Sequence, residues 1–381
     1  MSKALIITSV ASMVDQFLLP NLFLLQDMGY EIHVACNFEK GSTCSEEKIQ
    51  NLKRTLTEKN IKFYQIDFER DVTHIFGHVM AYRQLSAIVK SNAFDLIHCH
   101  SPIGGMLGRL VARKQRKKGA KVFYTAHGFH FYKGAPLKNW LIYYPVEKFC
   151  SRFTDVLITI NKEDYSLAKR KMRAKRIEHV PGVGINLSSF ENVSIDRAQK
   201  RRELGVPEDA FLLVSVGEVN KNKNHQVIVK AMAKFNNPNV HYVIAGIGDQ
   251  EETLTKLAES FGVESQLHLL GFRKDIPEID SVADVFCFPS LREGLGLGAI
   301  EGMACGLPII TSNEHGINDY SEDGVTGYKC NPYDVDGFAE AIKKLISEHD
   351  VRMSMSEFNK ERAKCYAIDK IVPIMKGIYE N

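Results

Sequence analysis

A chain of 381 residues is longer than one ordinary hydrophobic core organises, so two domains are expected. Its composition, 44% hydrophobic and 25% charged, excludes a disordered or fibrous protein. The net charge of +3 conceals an asymmetry: residues 1–190 carry 28 Lys and Arg against 16 Asp and Glu, and the remainder carry 21 against 30. Two basic blocks, residues 109–121 and 169–176, supply most of the excess. Such clusters suit an anionic membrane surface or another polyanion, or else form a solvated helix face. The acidic second half and the lack of a nucleic-acid reading module argue against nucleic acid. No stretch approaches the ~20 apolar residues of a spanning helix. The run from Ala4 to Val14 is cut by Asp15 and reads as a first strand rather than a leader. Eight scattered cysteines without a C-x-x-C pair are expected to be reduced, which places the chain in the cytoplasm.

In chain order, the first half alternates short apolar runs with helical-period segments. Strands are predicted at 4–8, 31–36, 62–66, 95–99, 121–125 and 156–160. Helices are predicted near 16–28, 46–59, 79–91, 104–117 and 140–150. This is the rhythm of an open parallel α/β sheet, whose ligands lie beyond the carboxyl ends of its strands. The pattern resets near Pro181-Gly-Val-Gly184, and the polar segment 186–202 reads as a linker. A second alternation follows, with strands at 211–216, 240–245, 266–270, 284–288 and 308–311. Its helices are predicted near 225–234, 250–261, 298–305 and 335–347. A last helix, 357–379, carries the apolar stripe Ile371, Ile374, Met375 and Ile378. The expected division is a first Rossmann-like domain, 1–184, with 357–381 packing back on it, and a second, 185–356. Two such domains facing one another would bind a ligand in the cleft between them.

Three glycine-containing turns of the second half end strands on one sheet edge: Gly217 to Asn224, Gly246-Ile-Gly248-Asp249, and Pro289 to Glu301. Glycine lets backbone approach a ligand closely, and helix-start amides suit phosphate. Lys223 can neutralise a diphosphate as a point charge. Together the turns point to a nucleotide diphosphate. Two acids bracket the third turn, Glu293 at its start and Glu301 inside the following helix. A glycosidase pair would flank a scissile bond, whereas one acid on a loop and one within a helix suits ligand binding. His98 and His100 share a strand face, but no third ligand has metal-site spacing, which favours core or acceptor contact over metal. Gly294-x-Gly296-x-x-Ala299 mimics the dinucleotide fingerprint but lies too late in the chain. Tyr132, Trp140, Tyr143, Tyr144 and Phe149, with Lys133 and Lys138, form an aromatic-basic segment that suits core packing or a bilayer interface.

The order Gly217…Lys223-Asn224, Leu270-Gly271-Phe272, Arg292-Glu293-Gly294-x-Gly296 and Glu301-Gly-Met-Ala-Cys-Gly-Leu-Pro308 resembles the retaining glycosyltransferases of the two-Rossmann-domain (GT-B) type. Glu293 and Glu301 meet that family's Glu-x7-Glu signature, and Asp323-Gly324-x-Thr326-Gly327 extends the likeness over most of 210–345. Asp95 to His100 and Thr125-Ala-His127-Gly128 resemble the family 4-like subgroup that builds capsular or exopolysaccharide on a lipid carrier.

The resemblance implies metal-independent transfer from a nucleotide-sugar, a UDP-sugar first among them, to a lipid-linked saccharide, on the inner face of the membrane. It implies that Glu301 holds the ribose and Glu293 the donor sugar, with the amides of Gly294, Leu295, Gly296 and Leu297 close by. Gly217, Gly248 and Lys223 would surround the diphosphate, and backbone near Phe272 and Arg273 would read the base. His127 would reach the sugar, making His127, Glu293 and Lys223 the catalytic set. Two departures stand out. Glu218 replaces the family's usual Arg, with Lys221, Arg273 or Arg292 as substitutes, and Ser9-Val-Ala-Ser-Met13 replaces its paired glycines. A nucleotide-sugar 2-epimerase or a non-catalytic nucleotide-sugar-binding subunit would share these features.

Overall fold

The computed structural model describes residues 1–41, 44–69, 71, 73–191 and 193–381. They form two compact units, Met1–Gly184 with Ile371–Asn381, and Ile185–Lys370.

The first unit holds a seven-stranded, all-parallel sheet of β1 (Ser2–Val10), β2 (Tyr30–Asn37), β3 (Lys62–Gln65), β4 (Leu96–His100), β5 (Lys121–Ala126), β6 (Val156–Thr159) and β7 (Arg176–His179). Their order is β3-β2-β1-β4-β5-β6-β7. Parallel strands need crossovers, and helices provide them on both faces. These are α1 (Ala11–Met13), running through a π turn into α2 (Leu19–Asp27), then α3 (Glu46–Glu58), α4 (Ile75–Ser91), α5 (Pro102–Arg116), α6 (Leu137–Cys150) and α7 (Lys162–Lys171). Ser45 and Asn161 start α3 and α7 by accepting the amides of Lys48 and Asp164. Helix α5 lies unusually close to the sheet. A Cβ at Gly105 would stand 2.3 Å from the Tyr124 ring and one at Gly108 2.5 Å from the Cys99 Sγ, so larger residues would push the helix away.

The second unit repeats the plan with β8 (Phe211–Val216), β9 (Val240–Ala245), β10 (Leu267–Leu269), β11 (Val285–Phe288), β12 (Ile309–Ser312) and β13 (Gly327–Cys330). The order β10-β9-β8-β11-β12-β13 is again all parallel. Its helices are α8 (Arg197–Glu203), α9 (Gln226–Phe235), α10 (Glu251–Phe261), α11 (Ile276–Ser281), α12 (Leu297–Ala304), α13 (Val335–Ser347) and α14 (His349–Ala363); α15 (Ile368–Glu380) follows. Strand order reverses between β1 and β4 in the first unit and between β8 and β11 in the second. Each reversal opens a crevice at the carboxyl ends of those strands.

Four local expectations change. The single helix expected over 357–379 is two, α14 and α15, interrupted at Ala367, whose backbone is extended and bridges Ile185. Asn359 on α14 donates to the carbonyls of Leu307 and Thr326, both at 2.8 Å, which ties this stretch to the second unit. The boundary therefore falls at Ile371 rather than 357. Ile371, Met375, Ile378 and Tyr379 then join the core of the first unit, while Ile374 stays exposed. The expected linker contains α8, held by buried Arg201, which donates to Val282, Glu208 and Ala210 carbonyls and to Asp284. Edge strands β7 and β13 escape sequence reading because Arg-Ile-Glu-His and Gly-Tyr-Lys-Cys lack an apolar run.

Candidate active site

The loops after β8 and β11 meet at the crevice of the second unit. The Leu291 amide donates to the Asn222 carbonyl at 2.7 Å, and the Asn222 side chain donates to the Arg292 carbonyl at 2.9 Å. Buried Asn224 ties Pro289 and Pro332 together through their carbonyls. Within this frame Lys223 Nζ sits 2.8 Å from Glu293 Oε1 and 4.7 Å from the centre of the Phe288 ring. Both partners are largely shielded, at 18% and 16% exposure. A shielded ion pair on loops at a strand-order reversal is oriented and charged, which suits a polar ligand more than it suits the fold.

Glycine makes the close spacing feasible. Gly217 ends β8 at φ +142, with the Lys223 side chain against it. A Cβ at Gly246 would fall 1.8 Å from the Gly217 carbonyl, so the β8 and β9 loops can touch only without it. Gly248, expected near the diphosphate, gives its amide to Glu251 at 2.8 Å. In the third turn Leu295 is buried, and Gly296 takes φ +92 just before α12. No side chain caps that helix, so its first amides stand at the positive end of its dipole.

Glu301 lies in the second turn of α12. Burial pushes its carboxyl up to about 7, and among the described residues no hydrogen bond to that carboxyl is seen. Asp280 on α11, fully buried, has both carboxyl oxygens without a partner. Desolvation, with Glu301 as a nearby like charge, holds Asp280 well above the carboxylate range. Asp280 carries no sequence signal, because Ile-Pro-Glu-Ile-Asp-Ser reads as an ordinary short helix.

A fourth loop, without a glycine-lysine motif, also joins the site. His315 (φ +45) and the amide of Gly316 both engage the Glu293 carbonyl. A Cβ on Gly316 would stand 2.0 Å from the Gly294 carbonyl. Buried Tyr320 donates weakly to Gly296, at 3.5 Å. This loop follows β12 at the same sheet edge, so the strand-end rule could have found it.

The replacements offered for the missing Arg are unequal. The Arg273 guanidinium is held by Asp275 and Glu203, which raises its pKa and removes it as a phosphate cation. Its backbone, beside the exposed ring of Phe272, is unaffected by that pairing. Lys221 and Glu218 are both exposed on the β8 loop.

His127 belongs to the first unit, at the carboxyl end of β5. Its Nε2 is 3.1 Å from His100 Nδ1, and burial lowers its pKa to about 4. His98, lowered to about 3 by the same cause, bonds Tyr379 and Thr125, each at 2.8 Å. His98 is thus a core residue that fastens α15 to β4. Ser9, the first residue of the Ser9–Met13 segment, shares a 2.6 Å hydrogen bond with Ser101 at the β1/β4 reversal. The basic blocks also divide. Arg109 is wholly buried against Glu147 at 2.9 Å and cannot touch a membrane, and Arg116 pairs with Asp155. Arg113, Lys114, Lys117 and Lys118 remain exposed, as do Lys169, Arg170, Lys171 and Arg173.

The family model described as "Glycosyl transferases group 1" matches residues 196–362, and that described as "Glycosyl transferase 4-like" matches residues 16–161. A protein of Bacillus subtilis (strain 168) named as a glycosyltransferase, EpsD, is 38% identical over 367 residues, spanning 95% of this chain and 92% of its own. An Escherichia coli protein named UDP-Gal:alpha-D-GlcNAc-diphosphoundecaprenol alpha-1,3-galactosyltransferase is 29% identical over 303 residues, 77% of each chain. Among solved structures, Anabaena HepE in complex with UDP and glucose superposes with a TM-score of 0.80 over all of both chains at 17% identity. WaaG, a glycosyltransferase of lipopolysaccharide biosynthesis, does so with 0.74 over 98% of each at 18% identity. At those identities the two likenesses establish the GT-B fold.

Proposed function

Because this chain belongs to the group 1, family 4-like glycosyltransferases, enzymes of polysaccharide and glycoconjugate biosynthesis, we propose that it moves a sugar from a UDP-sugar to a lipid-linked saccharide with retention at the anomeric carbon. The observation that carries this reading is the crevice of the second unit: a shielded Lys223–Glu293 pair between two glycine turns, with the Glu301 carboxyl in α12 beyond it. A carboxylate accepts two hydrogen bonds at once, so Glu301 suits the paired ribose hydroxyls and Glu293 the hydroxyls of the donor sugar. Lys223 and the first amides of α12 supply a preorganised positive field for the diphosphate. That field gains strength as the bond from the anomeric carbon to the phosphate oxygen breaks and charge grows on the leaving group. The acceptor hydroxyl forms the new bond on the same face, and its proton passes to the departing phosphate oxygen. That field removes the need for a bound metal. In the first unit His127, neutral at working pH, offers an uncharged hydrogen-bonding group to a sugar hydroxyl.

The acceptor class rests on the residues of the first unit and on the relative named for a diphosphoundecaprenol-linked substrate. No helix of the described residues is long and apolar enough to cross a membrane. The exposed lysines and arginines of α5 and of the α7–β7 segment are assigned to anionic headgroups on the cytoplasmic face.

Lys223→Ala tests the carrying observation. It should lower kcat by roughly a hundredfold or more, the usual loss when one donor to a developing charge is removed, while UDP still raises the melting temperature. A variant with unchanged kcat would remove Lys223 from the reaction.

A further inference from the structure

The first unit contains a cavity of about 200 Å³ between α4, α5 and α6. Its wall is mostly carbon, with Ile103 and Met106 from α5, Phe129 and Phe131 from the loop after β5, and Ile142 and Val146 from α6. Ile142 and Val146 are themselves exposed, so the cavity opens to the outside. An apolar cavity of roughly 150 Å³ already admits a benzene-sized molecule. Elsewhere on the two flanking helices large apolar side chains are exposed: Phe76 at 80% and Met80 on α4, and Leu141 at 68% on α6.

The position of the cavity specifies its occupant. Gly128, Phe129 and His130 line it, so one end adjoins the loop that carries His127 at the carboxyl end of β5. Ligands of open parallel sheets lie outside the carboxyl ends of the strands, the side on which this loop stands. The floor is closed by Tyr124 and Glu147, and the buried Arg109 holds Glu147 in an ion pair, leaving no anionic group facing the opening uncompensated.

Resting on the lipid-linked acceptor of the proposed function, we infer that this cavity takes the first segment of the acceptor's hydrocarbon chain and sets its saccharide at the His127 loop. The chain would thus be recognised singly by the protein rather than left wholly in the bilayer.

The probe is octyl phosphate, compared with butyl phosphate and inorganic phosphate, titrated into the full-length protein. Trp140, the single tryptophan, reports binding because its ring packs on Phe131. Saturable binding is expected for octyl phosphate, tightening about fourfold for each methylene that becomes buried. Inorganic phosphate should give no response. Ile142→Asp, an exposed position where folding is not at risk, should weaken octyl phosphate at least tenfold and leave UDP binding unchanged. Val146→Phe, which narrows the opening, should do the same. Affinity independent of chain length overturns the inference. So does octyl phosphate binding that both variants leave unchanged, or binding only to phosphatidylglycerol vesicles, which would make the α4–α6 face a membrane contact. Chain-length-dependent binding without sugar transfer to any lipid acceptor would sustain the cavity and sink the acceptor reading. Transfer to lipid acceptors that both variants leave intact would do the reverse.

Discussion

Glu301, partly buried, and Asp280, fully buried, act on each other as like charges, and each has a distinct consequence for pH. Burial pushes the Glu301 carboxyl of the free protein up to about 7, and the ribose hydroxyls proposed as its partners would bond best to the ionised form. Binding of UDP should therefore be full above pH 7 and weaken below it, approaching tenfold per pH unit. Glu301→Gln should flatten that dependence, as calorimetry at pH 6 and 8 can check. An affinity that is equally pH-dependent in the variant would place the titrating group elsewhere. Asp280 acts on stability. Its folded pKa lies above its unfolded one, so its stabilising contribution is complete below the unfolded value of 3.8 and is lost progressively as pH rises from there through the raised folded value. Asp280→Asn removes that loss whatever constant cost the amide brings. The variant's melting temperature relative to wild type should thus be higher at pH 8 than at pH 5. A difference that does not move with pH contradicts the buried, unpartnered carboxyl.

Elements succeed here where residue patterns agree with their period. Strands β8 and β9 and helix α13 stand where apolar runs and stripes predict them. The glycine turns of the second unit were legible for a related reason: three of them end strands on one sheet edge. What escaped is held by side chains that a period cannot reveal. Arg201 anchors α8, and Asn359 keeps α14 with the second unit by satisfying two buried carbonyls. Asn359→Ala should cost about 2 to 3 kcal/mol, since both carbonyls would lose their donor. Urea denaturation reads this directly, and a change below about 0.5 kcal/mol would mean that those carbonyls find other donors. Arg109 is the converse lesson. Within a run of cations it looks like surface, but Glu147, 38 residues later in the chain, draws it into the core, where its guanidinium also stacks on Tyr124 at 3.8 Å.

At the scale of the whole molecule, two parallel sheets, each with one strand-order reversal, place ligand loops at defined edges, and the sequence shows both through its βα rhythm. The division of labour follows from what each edge carries: cation, carboxylates and helix amides in the second unit, neutral histidines and an apolar cavity in the first. The exposed basic side chains of the first unit are the ones proposed to meet anionic headgroups. The sugar and the linkage leave no mark in these patterns, because a hydroxyl's position is read by loop atoms whose placement depends on distant contacts such as those of His315 and Tyr320. The most direct test is proton NMR of the product formed from a UDP-sugar and a diphosphoprenyl-linked saccharide, with EDTA present. Retaining, metal-free transfer predicts turnover that yields the donor's own anomeric configuration, with Lys223→Ala nearly inactive. An inverted product, or strict dependence on an added divalent metal, would contradict it.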